Sequence, residues 1–184
     1  MRRFEEADTT LTVEQLHYFY YGTATRPDYS PYKTSNYDAL HKILEKETPE
    51  GKDWKEAAQV IDEQLKTDPT NIRFHLYKHV VYDNLYGPES EKTADAYNQV
   101  VMLLSAVTST GDGRSKETAF HVICVPDEYG IMDVFGLSPK MQSLVDDKGQ
   151  SYDVMELKEN EYGLESMYFN ITVSMQAMNK MFGF

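Results

Sequence analysis

His75 and His79 stand one helical turn apart, the spacing at which two imidazoles on one helix can reach a single metal ion. A metalloprotease helix also needs Glu directly after the first His, and Leu76 is there instead. The five histidines offer no other ligand-like spacing, so no metal site is expected. A different chemistry suits these two. With Tyr82 and Asp83 they form a polar and aromatic stripe beside the apolar stripe of one helix. Such a stripe could hold a protein or peptide segment by hydrogen bonds and ring contacts. Asp38, Lys42 and Glu45 are its counterparts one helix pair earlier. The competing reading is a solvated face, or packing against the β portion of the chain.

No nucleophile has a plausible base. The serines lack a G-x-S-x-G setting, and Cys124 has only His121 nearby, an odd number of residues away and so on the opposite face of a strand. The only cysteine cannot form an intramolecular disulfide, and in the apolar run from Phe120 to Val125 it reads as a small buried hydrophobe. Asp146-Asp147-Lys148-Gly149 lacks the alternating oxygen ligands of a calcium loop and reads as a hairpin turn. Gly111-Asp112-Gly113-Arg114-Ser115 lacks the spacing and lysine of a phosphate loop. Asn170-Ile171-Thr172 matches a glycosylation acceptor but falls in an expected strand. No catalytic residue, metal ligand or cofactor motif is named, and carboxylates scattered along the chain could meet only in space.

The elements that must position the stripe are announced locally. Thr12-Val13-Glu14-Gln15 is a capping box, flanked by Leu11 and Leu16, and its helix runs to a stop at Gly22. Residues 23–34 form a loop held by Pro27 and Pro31. The tyrosines between Tyr18 and Tyr37 either anchor that loop or present an aromatic platform. Ser35 with Asp38 opens a second helix, ended by Pro49 and Gly51. Asp53 with Glu56 opens a third, closed by Asp68-Pro69. A fourth carries Phe74, Tyr77, Val81 and Leu85, and a fifth carries Tyr97, Val100, Val101, Leu104 and Val107. Beyond Gly113 the character changes. Ala119–Val125 reads as a buried strand, Asp127–Phe135 as a short helix in preference to a second strand, and 141–145 with 152–158 as a hairpin. Ser166–Thr172 reads as a last strand and Ser174–Phe182 as a terminal helix. The expected fold is α+β: a helical half, 1–113, followed by a small antiparallel sheet, 114–184, packed as one domain.

Composition limits the partners. Of the 184 residues, 18 are basic and 30 acidic, giving a net charge of −12. That charge opposes binding to a nucleic-acid backbone or an anionic lipid surface. No apolar run reaches the roughly eighteen residues of a membrane span, so no membrane insertion is expected. Hydrophobic residues make up 41% of the chain, enough for a core without disulfides. The opening Met1-Arg2-Arg3-Phe4-Glu5-Glu6 is followed by no apolar h-region. It reads as the start of a short helix in a form whose leader has been removed.

Residues 35–69 and 72–107 are both helix pairs. Tyr37, Leu40, His41 and Leu44 share their spacing with Phe74, Tyr77, Lys78 and Val81 one unit later. Ala57, Ile61 and Pro69 fall where a tetratricopeptide repeat places its second-helix residues and closing proline, and this first unit resembles that repeat. His41 and Lys78 depart from it, standing where the repeat prefers a small residue.

A broader resemblance covers most of the chain. Asp8-Thr9-Thr10-Leu11-Thr12, Tyr20-Tyr21-Gly22, Tyr29-Ser30-Pro31-Tyr32, Asp127-Glu128-Tyr129, Asp153-Val154-Met155 and Met167-Tyr168-Phe169 carry it. Together they are similar to an uncharacterised bacterial family of unknown function, with helical repeats followed by a β portion. Members of that family typically carry export leaders. The resemblance implies a periplasmic or cell-envelope location and no activity. The expected function is therefore a non-catalytic protein- or peptide-binding scaffold using His75, His79, Tyr82 and Asp83. The alternative is an enzyme, or a small-ligand or glycan binder, with its site between the helical and β halves.

Overall fold

The computed structural model describes residues 2–31 and 37–183. Among them the chain forms eight α-helices and four strands. The helices are α1 (Arg2–Glu5), α2 (Val13–Gly22), α3 (Tyr37–Leu44), α4 (Gly51–Thr67), α5 (Ile72–Tyr86), α6 (Glu91–Thr108), α7 (Val125–Val134) and α8 (Thr172–Phe182). The strands are β1 (Phe120–His121), β2 (Pro139–Asp147), β3 (Gln150–Leu157) and β4 (Ser166–Asn170). The class is α+β. None of the described helices is long and apolar enough to cross a membrane. The chain divides into one unit of Met1–Thr12 with Thr34–Leu103 and a second of Val13–Lys33 with Leu104–Phe184. This differs from the expected division at residue 113. Helix α2 belongs to the second unit, and the boundary falls inside α6.

The first unit is helical, and its caps explain its boundaries. Helix α4 begins two residues before Asp53, because Glu50 is its N-cap and Asp53 is the reciprocal N3 acid. The Glu50 amide donates to Asp53 Oδ2 at 2.8 Å, and Lys46 Nζ reaches Asp53 Oδ1 at 2.5 Å. Gly51 therefore starts α4 and does not end α3. The expected start of α3 at Ser35 lies outside the described residues. Asn71 caps α5 by accepting from the Phe74 amide at 3.0 Å, and its Oδ1 also accepts from the Tyr37 hydroxyl at 3.2 Å. Leu40 and Ile43 of α3, Ala57, Ala58 and Ile61 of α4, and Phe74 and Val81 of α5 form one buried cluster. These are the apolar positions that the helical period selects.

The second unit holds a four-stranded mixed sheet in the order β1-β4-β3-β2. Strands β2, β3 and β4 are antiparallel, while β1 runs parallel to β4, so the sheet is not purely antiparallel. The β2–β3 hairpin turns through Lys148 and Gly149, both at positive φ, the two-residue turn whose twist suits flanking strands. Only Phe120 and His121 of the expected 119–125 strand pair with β4. Val122 N still donates to Asn170 O of β4 at 3.1 Å, but Ile123 and Cys124 are buried beyond the ladder, because Pro126 at the opening of α7 commits the chain to a helix. Tyr20, Tyr21 and Tyr29 donate their hydroxyls to Asp127, the His121 carbonyl and the Ile123 carbonyl respectively, so these tyrosines anchor. Tyr18 stays exposed at 74%, and Tyr32 lies outside the described residues.

Residues 111–118 fold tightly onto the sheet. Gly113 N donates to Thr118 O at 2.7 Å, and Gly113 O accepts from Tyr168 N at 2.8 Å. A Cβ on Gly111 would stand 2.1 Å from the Thr118 carbonyl oxygen, a backbone atom that cannot rotate away. Gly51, by contrast, has open space at its Cβ position within a helix. Gly111→Ala is expected to cost about 2 kcal/mol or more in urea denaturation. Gly51→Ala is expected to be neutral or to gain ~0.5 kcal/mol. Equal effects of the two substitutions would contradict this packing.

Candidate functional site

The stripe expected on α5 is only partly presented to solvent. His75 is buried at 3% exposure, its Nε2–H donating to the Pro69 carbonyl at 3.0 Å and its ring meeting Phe4 edge-on at 5.4 Å. His79 is half-buried against Tyr97, ring centroids 5.4 Å apart. The Tyr82 hydroxyl donates to Asp62 Oδ1 at 3.1 Å, and Asp83 is half-buried. His75 is buried against Phe4 of α1 and lines the inner wall of the cavity beside this face. The other three line the helix with their edges reaching solvent.

Beside this face opens a cavity of about 480 Å³ lined by Phe4, Leu65, Pro69, Asp62, Lys78 and Gln99, among others. Burial lowers the Lys78 amine from its ordinary range, with Asp62 and Asp95 opposing the shift. Its Nζ donates to Gln99 Oε1 at 3.1 Å and sits 5.3 Å from the Tyr82 ring centroid. Gln99 in turn donates to the Phe4 and Glu5 carbonyls. Lys78 was not among the expected site residues. Its signal was legible nonetheless: a lysine where the repeat prefers a small residue is a cation placed against its neighbours. His41, the other departure, hydrogen-bonds the Tyr77 hydroxyl at 3.0 Å.

The second unit contains a buried carboxyl cluster that sequence reasoning did not assemble. Asp127 and Glu128 are fully buried at the start of α7, and Asp153 of β3 is 5% exposed. Asp127 Oδ2 accepts from the Tyr20 hydroxyl at 2.6 Å, and that hydroxyl oxygen accepts from the Ile123 amide at 3.4 Å. Asp153 Oδ2 accepts from Gln142 Nε2 at 2.7 Å, and Gln142 Oε1 accepts from the Tyr129 hydroxyl at 3.2 Å. No N–H or hydroxyl donor among the described residues reaches Glu128. Its charged neighbours are the Asp153 and Asp127 carboxylates, against which the protonated form is favoured. Burial, then the charges of Asp153 and Asp127, push it up to about 9. Burial also raises Asp153.

Among the described residues no three His, Cys, Asp or Glu side chains are placed to hold a metal ion. A model of the family described as a domain of unknown function, DUF4919, matches residues 1–180. The chain belongs to that family. No curated protein and no solved structure matches it. Several segments that carried the resemblance meet in the second unit of this DUF4919 chain. Tyr20, Asp127, Glu128 and Asp153 come from three of them and form the buried network.

Two opposite pH dependences follow. The folded Glu128 binds its proton more tightly than the unfolded chain, so its contribution is present at low pH and is lost between about pH 4.5 and 9. Glu128→Gln mimics the protonated acid and places no charge beside Asp153. It should flatten this slope and gain ~1–3 kcal/mol at pH 8 in urea denaturation. An unchanged slope would show that Glu128 is ionised. Burial lowers His75 to about 4, so its contribution is present above pH 6.5 and lost as pH falls through about 4. His75→Gln should reduce the acid-side loss, measured as the change in urea midpoint between pH 7 and pH 4.

Proposed function

We propose that this protein is a non-catalytic binding or scaffold protein of the bacterial cell envelope. Its helical unit, with α3/α4 and α5/α6 as tetratricopeptide-like pairs, takes a protein or peptide segment in the cavity beside α5. The observation that carries this reading is the state of Lys78. Its amine is held half out of water by an amide oxygen and an aromatic ring, and among the described residues no carboxylate bonds to it. An amine in that position gains most from an arriving carboxylate, which restores the charge partner that burial denies it. Phe4, Leu65 and Pro69 supply apolar wall for the flanking side chains, and Tyr82 with Asp62 supplies a polar edge. The segment recognised is one carrying Asp, Glu or a free C-terminus. His79, Tyr82 and Asp83 remain contact residues in this reading, and His75 forms part of the cavity wall. The net charge of −12 sets nucleic acid aside as partner. The envelope location rests on the leaders typical of the resembled family.

A second reading, an enzyme or a binder of a small ligand or glycan, draws on the Glu128–Asp153 pair. A neutral acid beside an ionised carboxylate is what general acid–base chemistry uses. The depth of Asp127 and Glu128, both fully buried, favours a structural role for them.

A peptide library displayed with free C-termini, selected on the intact chain, should enrich sequences bearing a carboxylate. Lys78→Met, which keeps the length of the side chain, should weaken the best binder by about 10- to 100-fold, the loss of one charge-assisted hydrogen bond. Binding that survives Lys78→Met unchanged would remove the cavity from the proposal, and no enriched sequence would favour the second reading.

A further inference from the structure

The free edge of the sheet is β2, nine residues long, with Met141 57% and Leu144 52% exposed on opposite faces. Its backbone directions follow from the ladder. Leu157 N bonds to Glu165 O and Ile171 N to Ser151 O, so odd residues of β3 turn their amides toward β4. Lys158 N bonds to Ser138 O, so even residues turn toward β2. The partners of those even residues, Met141, Ser143 and Val145, point inward to β3. Gln142, Leu144 and Asp146 therefore offer their N–H and C=O groups to the open edge. Proline, lysine and bulges guard natural edges, and here Pro139, Lys140 and the irregularity between Pro139 and Met141 guard one end only. The stretch 141–146 is left open.

We propose that this edge pairs with β2 of a second copy of the chain, antiparallel, about a two-fold axis at Ser143. In that register Gln142 faces Leu144 of the second copy and the reverse, so the outward amides and carbonyls bond each other in pairs. Lys140, whose amine pairs with Glu156 of its own chain at 2.5 Å, stands opposite Asp146 and can share its charge with it, and Met141 stands opposite Val145. The neighbouring registers are poorer. Centring on Leu144 sets Lys140 against Lys148, and centring on Gln142 sets Lys140 against Leu144. The charge pattern of the strand is thus self-complementary in one register alone. A two-fold pairing also closes on itself, which ends growth at the dimer. The net charge of −12 on each chain opposes association and is screened at physiological ionic strength.

Sedimentation equilibrium of the full chain at 150 mM salt, from about 1 μM to 1 mM, reads this out. The mass should rise from 21.2 kDa toward twice that value. Leu144→Pro removes an N–H that points away from β3, so the hairpin is kept and only the edge is blocked. It should be monomeric throughout, with an unchanged circular dichroism spectrum. Lys140→Glu should weaken the dimer about tenfold or more, and adding Asp146→Lys should restore it. A wild type that stays monomeric to 1 mM overturns the proposal. So does a dimer indifferent to Leu144→Pro, or a charge reversal that does not rescue.

Discussion

Burying Asp127, Glu128 and Asp153 in one unit obliges the chain to find a hydrogen for each carboxyl oxygen it keeps from water. The supply is limited, and its distribution orders the unit. Tyr20 of α2 serves Asp127, which fixes the register of α2 against the start of α7. Gln142 of the edge strand serves Asp153, which ties β2 to the inner face of β3. Nothing serves Glu128, so the remaining hydrogen is its own. A carboxyl that stays neutral beside a neighbouring carboxylate is less costly than two buried charges without partners. The arrangement also explains why an acidic chain tolerates a further acidic cluster: burial and its acidic neighbours favour the neutral form of Glu128.

The helical unit meets the same constraint from the opposite side. His75 is kept neutral by burial and donates Nε2–H to a carbonyl, while Lys78 keeps its amine at the rim through Gln99 and Tyr82. One unit thus favours a deprotonated base and the other a protonated acid. Stability limits at low and high pH have separate molecular origins for this reason, and a single net-charge argument would miss both. The −12 formal charge describes solubility and partners, not where the titrating groups act.

Much of the architecture was legible because its signals are local. The capping residues, the apolar stripe of Leu40, Phe74 and Val81, the Lys148-Gly149 turn and the alternation of Met167 and Phe169 each report on a few neighbouring residues. Errors arose where a distant partner decides. Residues 119–125 have a strand's composition, yet a proline and the depth of the core leave two residues to the ladder. Asp53 reads as an N-cap until Glu50 takes that place and Asp53 becomes the reciprocal acid. His75 reads as a surface group by helical period, because periodicity cannot show that Phe4 folds back over it. The carboxyl cluster was least legible of all. Its members are separated by more than a hundred residues from Tyr20 to Asp127, and a lone acid in a sequence reads as solvated.

Lys78 shows how a departure from a pattern can carry more than the pattern itself. A small residue at that position would let α5 and its neighbours close, as the repeat does elsewhere. The longer lysine side chain instead lines the cavity, with its stem half-buried and its amine at the rim. Burial lowers the basicity of that amine and costs desolvation, which the Gln99 amide, the Tyr82 ring and the more distant charges of Asp62 and Asp95 offset in part. A side chain selected for stability alone would be shorter and apolar at such a place. The placement of Lys78 is why the proposed binding reading rests on this residue and not on the more conspicuous histidines.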